Sequence, residues 1–353
     1  MRVGINYPWI DYGWDFGPPP EAWVPRDRAA DWSAARRRRI EEDFRAFAAL
    51  GFFAVRWFLL GDGLNYGTGE YAPRPEGGDW IFDPLPPEHP FHPRLLDDFQ
   101  FVLDLCRSSG LKLLPVLLDC SWCFRGTPAG ARPEIVKGGR SGVIRDPSRR
   151  EAFLDRVLDP LLDLSLSRRD SIHAWELMNE PEWAVRGFWR RGRRRTTGLG
   201  GMKGFLAEGA RRIALRRLQD GTPAFPSSVG FAHWDTLERW DSAGLGLTLP
   251  QFHYYAQGGR PLPEAAGECV VGEFASAEER AWPDLQLCGE AQTLTNRLEC
   301  IERKGYPECF VWSARAVDRA TRWTEVERRE FAAYSRGSIR ALSADAEPPA
   351  STG

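Results

Sequence analysis

Acidic residues at the ends of apolar segments are the side chains of this chain most able to do chemistry. The run Ile172-His173-Ala174-Trp175-Glu176-Leu177-Met178-Asn179-Glu180-Pro181 begins as a buried strand and ends in a polar pair before a proline. Pro181 has no N–H and biases the residue before it toward an extended conformation. The strand is therefore expected to stop there, with Asn179 and Glu180 at its C-terminal lip. A carboxylate in that position costs desolvation free energy unless it is wet or paired, and such positions often carry function. A second run of the same kind is Val271-Gly272-Glu273-Phe274-Ala275. If the fold brings the two strand ends together, Glu180 and Glu273 form a carboxylate pair. Such a pair suits cleavage of a glycosidic bond, one acid protonating the leaving oxygen while the other attacks or stabilises the anomeric carbon.

The elements that must position these acids are legible as a repeating pattern. Short segments rich in β-branched and aromatic residues recur at 3–9, 54–60, 112–119, 172–180, 228–234, 247–255, 269–274 and 309–313. Helical patterns separate most of them. Leu95, Leu96, Phe99, Val102, Leu103 and Cys106 follow a 3.6-residue stripe, with Pro93 at its first position and Gly110 as its stop. Ile40, Phe44 and Phe47 predict a helix ending at Gly51. Phe153, Val157, Leu158, Leu161 and Leu162 predict one opened by Asp146-Pro147 and bent at Pro160, and Leu294, Leu298 and Ile301 one ending at Gly305. The units joining strands five, six and seven are short, so helices there are expected to be stunted.

Eight strands alternating with helices predict the α/β class and a single-domain (β/α)8 TIM barrel over residues 1–342. Residues 343–353 are small, polar and Pro-rich and are expected to be a disordered tail. A doubly wound sheet is the main alternative, but no G-x-G-x-x-G follows the first strand, and the glycine-rich stretch 198–204 has the wrong spacing. Helix-to-strand links are tight and strand-to-helix links are long, roughly 10–33, 61–92, 120–146, 182–200 and 275–289. In a barrel those long loops gather on the catalytic face. Strands four and seven then face each other across the mouth, and the other strand ends contribute Arg56, His253, Tyr255 and Trp312.

On these residues the chain resembles a known group. Asn179-Glu180-Pro181 on strand four and Gly272-Glu273-Phe274 on strand seven look like the motifs of the retaining (β/α)8 glycoside hydrolase clan that contains family 5, the cellulases and mannanases. The resemblance extends from about Gly4 to Phe331. It implies a retaining β-glycoside hydrolase acting on an oligo- or polysaccharide of the β-glucan or mannan type. Glu180 would be the acid/base and Glu273 the nucleophile. Asn179 would hold the sugar 2-hydroxyl, Arg56 would orient the nucleophile, His253 and Tyr255 would line the catalytic subsite, and Trp312 would stack beneath the sugar. Arg56 beside Glu273 would keep that carboxylate ionised, and an aromatic face suits the C–H face of a sugar ring. One departure stands out: family-5 cellulases commonly end strand three in Asp-x-His, whereas here Asp119-Cys120-Ser121 puts Ser121 at the His position. The rival readings are an exo-acting β-glycosidase of the same clan and a catalytically silent carbohydrate-binding barrel.

Other residues have plainer readings. Trp175 alternates with the inward positions of strand four and is expected to pack against helices, and His173 is expected in the core or behind the site. Cys120-x-x-Cys123 lacks a second pair or a His-rich partner, which argues against a metal or redox site. No metal or organic cofactor is called for. The 353 residues carry a formal net charge of −2 and no nucleic-acid motif. The arginine cluster at 186–195 is read as a solvated loop. No apolar run is long enough to span a membrane. Seven cysteines, an odd number without a framework, fit a reducing compartment. With no signal peptide visible, a cytoplasmic location is expected unless a leader was removed. The oligomeric state is not legible.

Overall fold

In the computed structural model eight parallel strands close into a barrel in chain order: β1 (Arg2–Asn6), β2 (Ala54–Phe58), β3 (Lys112–Asp119), β4 (Trp175–Asn179), β5 (Ser227–Phe231), β6 (Gln251–His253), β7 (Val270–Ala275) and β8 (Glu308–Trp312), with β8 pairing back onto β1. The structure describes residues 1–353 except 12, 18–23, 25, 67–73, 77–78, 82–92, 130–131, 187–195, 257–258, 278–280 and 346–353. The expected (β/α)8 architecture is therefore the observed one.

Strand alternation sorts side chains into two layers. On β2, Val55 and Trp57 point outward into the main core, where the Trp57 ring meets Phe44 of helix α1 (Ala29–Leu50) at 6.1 Å. Ala54 and Arg56 point into the barrel. Toward the N-terminal ends of the strands the interior is apolar: Ala54, Leu114, Ala174, Val270 and Phe310 pack together there. Trp175 faces outward onto Phe99 of helix α2 (Pro93–Ser109), ring centroids 5.7 Å apart, as its position predicts. Gly51 and Gly110 end α1 and α2 in the left-handed conformation that glycine adopts without a Cβ penalty.

Asp146 caps the third expected helix, accepting from the N–H groups of Ser148 and Arg149 at 2.9 and 3.2 Å. That helix is irregular before Pro160: a π-helical turn, Leu154–Leu158, joins Pro147–Phe153 to Asp159–Leu166. The proline has no N–H to give, and a wider turn absorbs the lost bond. The helix after β5, Trp234–Arg239, is short, as expected. The last helix, Glu325–Asp345, runs past Ser343, where the tail was expected to begin, and residues 346–353 lie outside the described ones. Much of the long loops, and most of the arginine cluster, also lie outside the described residues. No helix among the described residues is long and apolar enough to cross a membrane.

Candidate active site

At the C-terminal lip of the barrel the interior changes from apolar to charged. Arg56, fully buried on β2, is the hub. Its Nε and Nη2 donate to the two oxygens of Glu176 at 2.7 and 2.6 Å, a bidentate pair across the barrel from β4. Nη1 donates to Glu273 Oε1 at 2.6 Å and to Asn6 Oδ1 at 2.8 Å, and Nη2 also reaches Asn179 Oδ1 at 2.7 Å. Asn6 is held in turn by its amide donating to the Gly272 carbonyl at 3.0 Å. Gln251 Nε2 donates to Glu176 Oε2 at 2.7 Å. Burial alone would lower the Arg56 pKa, but Glu176 and then Glu273 reverse the effect and hold it above the ordinary arginine value.

This density of polar atoms needs space on β5. A Cβ on Gly230 would sit 2.5 Å from Glu176 Oε1, 2.8 Å from His253 Nε2 and 3.0 Å from Arg56 Nη2, so only glycine fits. The strand register shifts next to the site residues: between Glu176 and Asn179, between Phe252 and His253, and between Val271 and Phe274. Such irregularities re-aim side chains that a regular ladder would send to alternate faces.

The two acids named from the sequence meet here. A carboxylate oxygen of Glu180, a ring nitrogen of His253 and a carboxylate oxygen of Glu273 lie within 4.8 Å of one another. His253 Nδ1 is 2.9 Å from Glu180 Oε1 and 3.5 Å from Glu273 Oε2. Tyr255 donates its hydroxyl to Glu273 Oε2 at 2.7 Å. Glu273 thus has Arg56 on one oxygen and Tyr255 on the other. Among the described residues this is the one group of acids, His or Cys compact enough for a metal ion. The Arg56 guanidinium, bound to Oε1 of Glu273, puts a positive charge next to that group, which disfavours a cation there.

Burial raises both acids. Burial, and after it the Asp119 charge, raise Glu180 to about 7, against the lowering pull of Arg56 and of a hydrogen bond from the Trp183 side chain. Glu180 nevertheless keeps 23 % of its side chain exposed, so a substrate can reach it. Glu273 is also raised, by burial, against the lowering pull of His253 and Arg56. The expectation that Arg56 would dominate is thus met only in sign: its effect is present, and desolvation outweighs it. Burial pushes His253 down to about 4, so the ring is neutral near pH 7. Desolvation, and then the Glu273 charge, hold the half-buried Tyr255 phenol well above its usual value.

The backbone at Glu180 departs from expectation. The strand stops at Asn179 as foreseen, but Glu180 adopts φ 46°, ψ 50°, left-handed rather than extended. Its N–H donates to the Gly230 carbonyl at 2.7 Å, and Pro181–Ala184 follow as a tight 3-10 turn. Tertiary bonding overrides the local preference, at a strain on the order of 1–3 kcal/mol.

Trp312 ends β8 beside Trp9 and Phe58, ring centroids 6.3 and 6.4 Å away, in an aromatic corner on the β1–β2 side of the mouth. Ser121 does not take over a histidine's reach. Its N–H binds Asp119 Oδ1 at 2.9 Å, its hydroxyl binds the same oxygen, and Asp119 Oδ2 receives the Asn179 amide at 2.8 Å. His173 lies at the opposite end of the barrel, its Nε2 2.7 Å from Glu308 Oε2. Cys120 and Cys123 are buried thiols whose pKa values burial raises, which leaves them unreactive. Sequence reading missed Glu176, Asp119, Asn6 and Gln251. For Glu176 a signal existed, since a charged residue inside an apolar strand, on the face that carries Glu180, demands a buried partner.

No protein-family model matches the sequence, and no curated protein sequence matches it. Solved structures do share the fold. The endo-1,4-beta-mannanase from Eisenia fetida is 18 % identical with a TM-score of 0.63, the match covering 96 % of this chain and 91 % of that one. The beta-1,4-mannanase from the common sea hare Aplysia kurodai is 18 % identical with a TM-score of 0.60, covering 94 % and 92 %. The glycoside hydrolase family 5 mannosidase from Rhizomucor miehei is 12 % identical with a TM-score of 0.50, covering 97 % and 94 %.

Proposed function

We propose that the protein is a retaining β-glycoside hydrolase that acts on β-mannan-type oligo- or polysaccharides, with β-glucans as the alternative substrate. The observation that carries this is the carboxyl pair. Oxygens of Glu180 and Glu273 within 4.8 Å of each other fit the separation of about 5–5.5 Å used for double displacement, not the 6.5–9.5 Å that admits a water. The mannanases and the mannosidase that share the fold favour mannan.

In this reading Glu273, steered by Arg56 and Tyr255, attacks the anomeric carbon. Glu180, holding a proton near neutral pH, delivers it to the leaving oxygen, then as a carboxylate activates the water that hydrolyses the glycosyl-enzyme. Asn179, fixed by Arg56 and Asp119, is placed to hold the sugar 2-hydroxyl, and Trp312 to lie beneath the ring. Burial keeps His253 neutral, so it adds no charge between the two acids. No cofactor enters these steps. Endo against exo action is the open choice, and a non-hydrolysing sugar-binding barrel is the rival from another class.

Azide separates these readings. Glu273→Ala is expected to give a glycosyl azide of inverted configuration, and Glu180→Ala, with a dinitrophenyl glycoside, one of retained configuration. Both are read by NMR. Swapped anomers would reverse the two roles, undiminished turnover in both variants would show that neither acid is catalytic, and absence of turnover in the wild type would leave the binding-barrel reading. Hydrolysis of β-mannan, β-glucan and aryl glycosides, with product lengths measured, decides substrate and mode of attack.

A further inference from the structure

Glu182 lies two residues beyond Glu180, and the chemistry above gives it no role. It is fully buried, with 0 % exposure, in the 3-10 turn Pro181–Ala184. Its Oε1 accepts the Ala232 N–H, just past the end of β5, at 2.9 Å, while Oε2 makes no hydrogen bond of good geometry. A buried carboxyl is costly unless something is gained by it. The gain is visible in the backbone. Glu180 N–H is bound to Gly230 O, and Glu182 is bound to Ala232 N–H, so the turn carrying Glu180 is tied to β5 at two points. Gly230 itself is packed against Glu176, His253 and Arg56. The same short piece of β5 is therefore the reference surface for the nucleophile's hub and for the acid's turn.

We infer that Glu182 is a positioning residue for the proposed reaction: by pinning the 181–184 turn to Ala232 it holds Glu180 in its left-handed conformation and so aims the proton donor. This rests on the hydrolase reading. Burial raises the Glu182 carboxyl to about 8, so the group sits in place as a neutral acid near pH 7. A neutral amide of the same shape can replace it; a side chain without an acceptor cannot. Trp183, in the same turn, reaches the Glu180 carboxyl with its side chain and moves with it.

The test uses leaving groups. A dinitrophenyl glycoside leaves without a proton, whereas a phenyl glycoside needs one. In Glu182→Met, of similar volume but with no acceptor, kcat/KM for the phenyl substrate is expected to fall by about 100-fold, the cost of misplacing a catalytic group by roughly an ångström. The dinitrophenyl substrate should change little. Glu182→Gln should recover the wild-type ratio of the two rates. Equal losses on both substrates in the Met variant, or no change in the ratio, would overturn the assignment, as would a Gln variant no better than Met. If the Met variant does not fold, Glu182→Ala is read the same way, and failure of both to fold makes Glu182 a folding residue only, which also overturns it. Glu180→Ala is measured alongside. If the wild type hydrolyses neither glycoside, or Glu180→Ala loses nothing on the phenyl substrate, the hydrolase reading itself fails, whatever Glu182 does.

Discussion

The two ends of one barrel interior are built on opposite principles. Toward the N-terminal ends, Ala54, Leu114, Ala174, Val270 and Phe310 fill the space with hydrocarbon, and the charges there, Glu308, His173 and Arg2, sit at the rim. At the C-terminal ends, Arg56 with Glu176, Glu273, Asn179 and Asn6 fill a comparable space with polar groups that are buried and mutually bonded. The strands are continuous between the two layers, so the difference lies in side chains alone. An apolar layer in place of the upper one would be at least as stable, because buried ion pairs rarely repay their desolvation. The lower layer holds the barrel closed; the upper one, in the function proposed above, serves chemistry at a cost in stability.

The largest effects come from exchanging one layer's logic for the other's. Arg56→Met leaves Glu176 and Glu273 buried beside a methyl group, without the cation that both now pair with. We expect activity to be lost and stability to fall by about 3–5 kcal/mol, as for any buried pair deprived of one partner. Phe310→Ala, in the lower layer, should cost a similar 3–5 kcal/mol or so by opening a cavity. Here kcat/KM per folded molecule should stay at the wild-type value. Urea unfolding with active-site-normalised kinetics separates the two. A Phe310→Ala enzyme with impaired kcat/KM, or a fully active Arg56→Met enzyme, would show that the layers are not divided as described.

How much of this division was legible in the sequence follows from range. Glu180 and Glu273 stood out because a carboxylate at the end of an apolar strand is conspicuous, and the period of two aims it. The barrel followed from the alternation of strand and helix and from glycines such as Gly51 and Gly110 at helix ends. Glu176 signals the need for a buried partner but not which one, since its partners Arg56 and Gln251 are 120 and 75 residues away. The left-handed turn at Glu180 was hidden for the same reason: the Gly230 carbonyl that holds it is distant in sequence, and the local rule for a residue before proline pointed elsewhere. The raised pKa of Glu273 depends on how burial compares with the lowering pulls of His253 and Arg56, a balance that pairing alone does not reveal.

The pH dependence of stability gives a smaller effect. Glu182, buried, is raised from its ordinary 4.5 to about 8. A group whose folded pKa is raised contributes stability that is complete below the unfolded value and is lost as pH rises through the folded one. The window is therefore about pH 4.5 to 8. His253, pushed down to about 4, works in the opposite direction over the acid part of that window, so the wild-type slope alone is ambiguous. Subtracting Glu182→Gln from wild type isolates the term. Relative to wild type, the Gln variant should gain about 3 kcal/mol between pH 5 and pH 8, at 1.4 kcal/mol per unit with allowance for partial wetting. Parallel curves would mean that Glu182 ionises normally in the folded protein and that the upper layer carries less burial cost than its geometry implies.

The smallest expected effect is also the sharpest contrast, because it repeats the first substitution at the other end of the barrel. Arg2, like Arg56, pairs with a glutamate on a barrel strand, here Glu308 on β8, and its guanidinium lies over the Phe53 ring at 4.8 Å. The difference is water. The Arg2 side chain is 58 % exposed, while that of Arg56 is 0 % exposed. Removing Arg2 leaves Glu308 with His173 at 2.7 Å and with solvent free to enter from the rim. A pair whose cation stands in water, as here over a buried Glu308, gains little, about 0–1 kcal/mol, and salt screens it further. Arg2→Ala should therefore cost less than about 1 kcal/mol at low salt, and less again in 1 M salt, with unchanged kcat/KM. The same pair of measurements on Arg56→Met should show a loss that salt does not diminish, because its partners are out of reach of the ions. If Arg2→Ala proved as damaging as Arg56→Met, burial could not be what separates the two ends. The polar upper layer would then have to be explained by something other than the chemistry it surrounds.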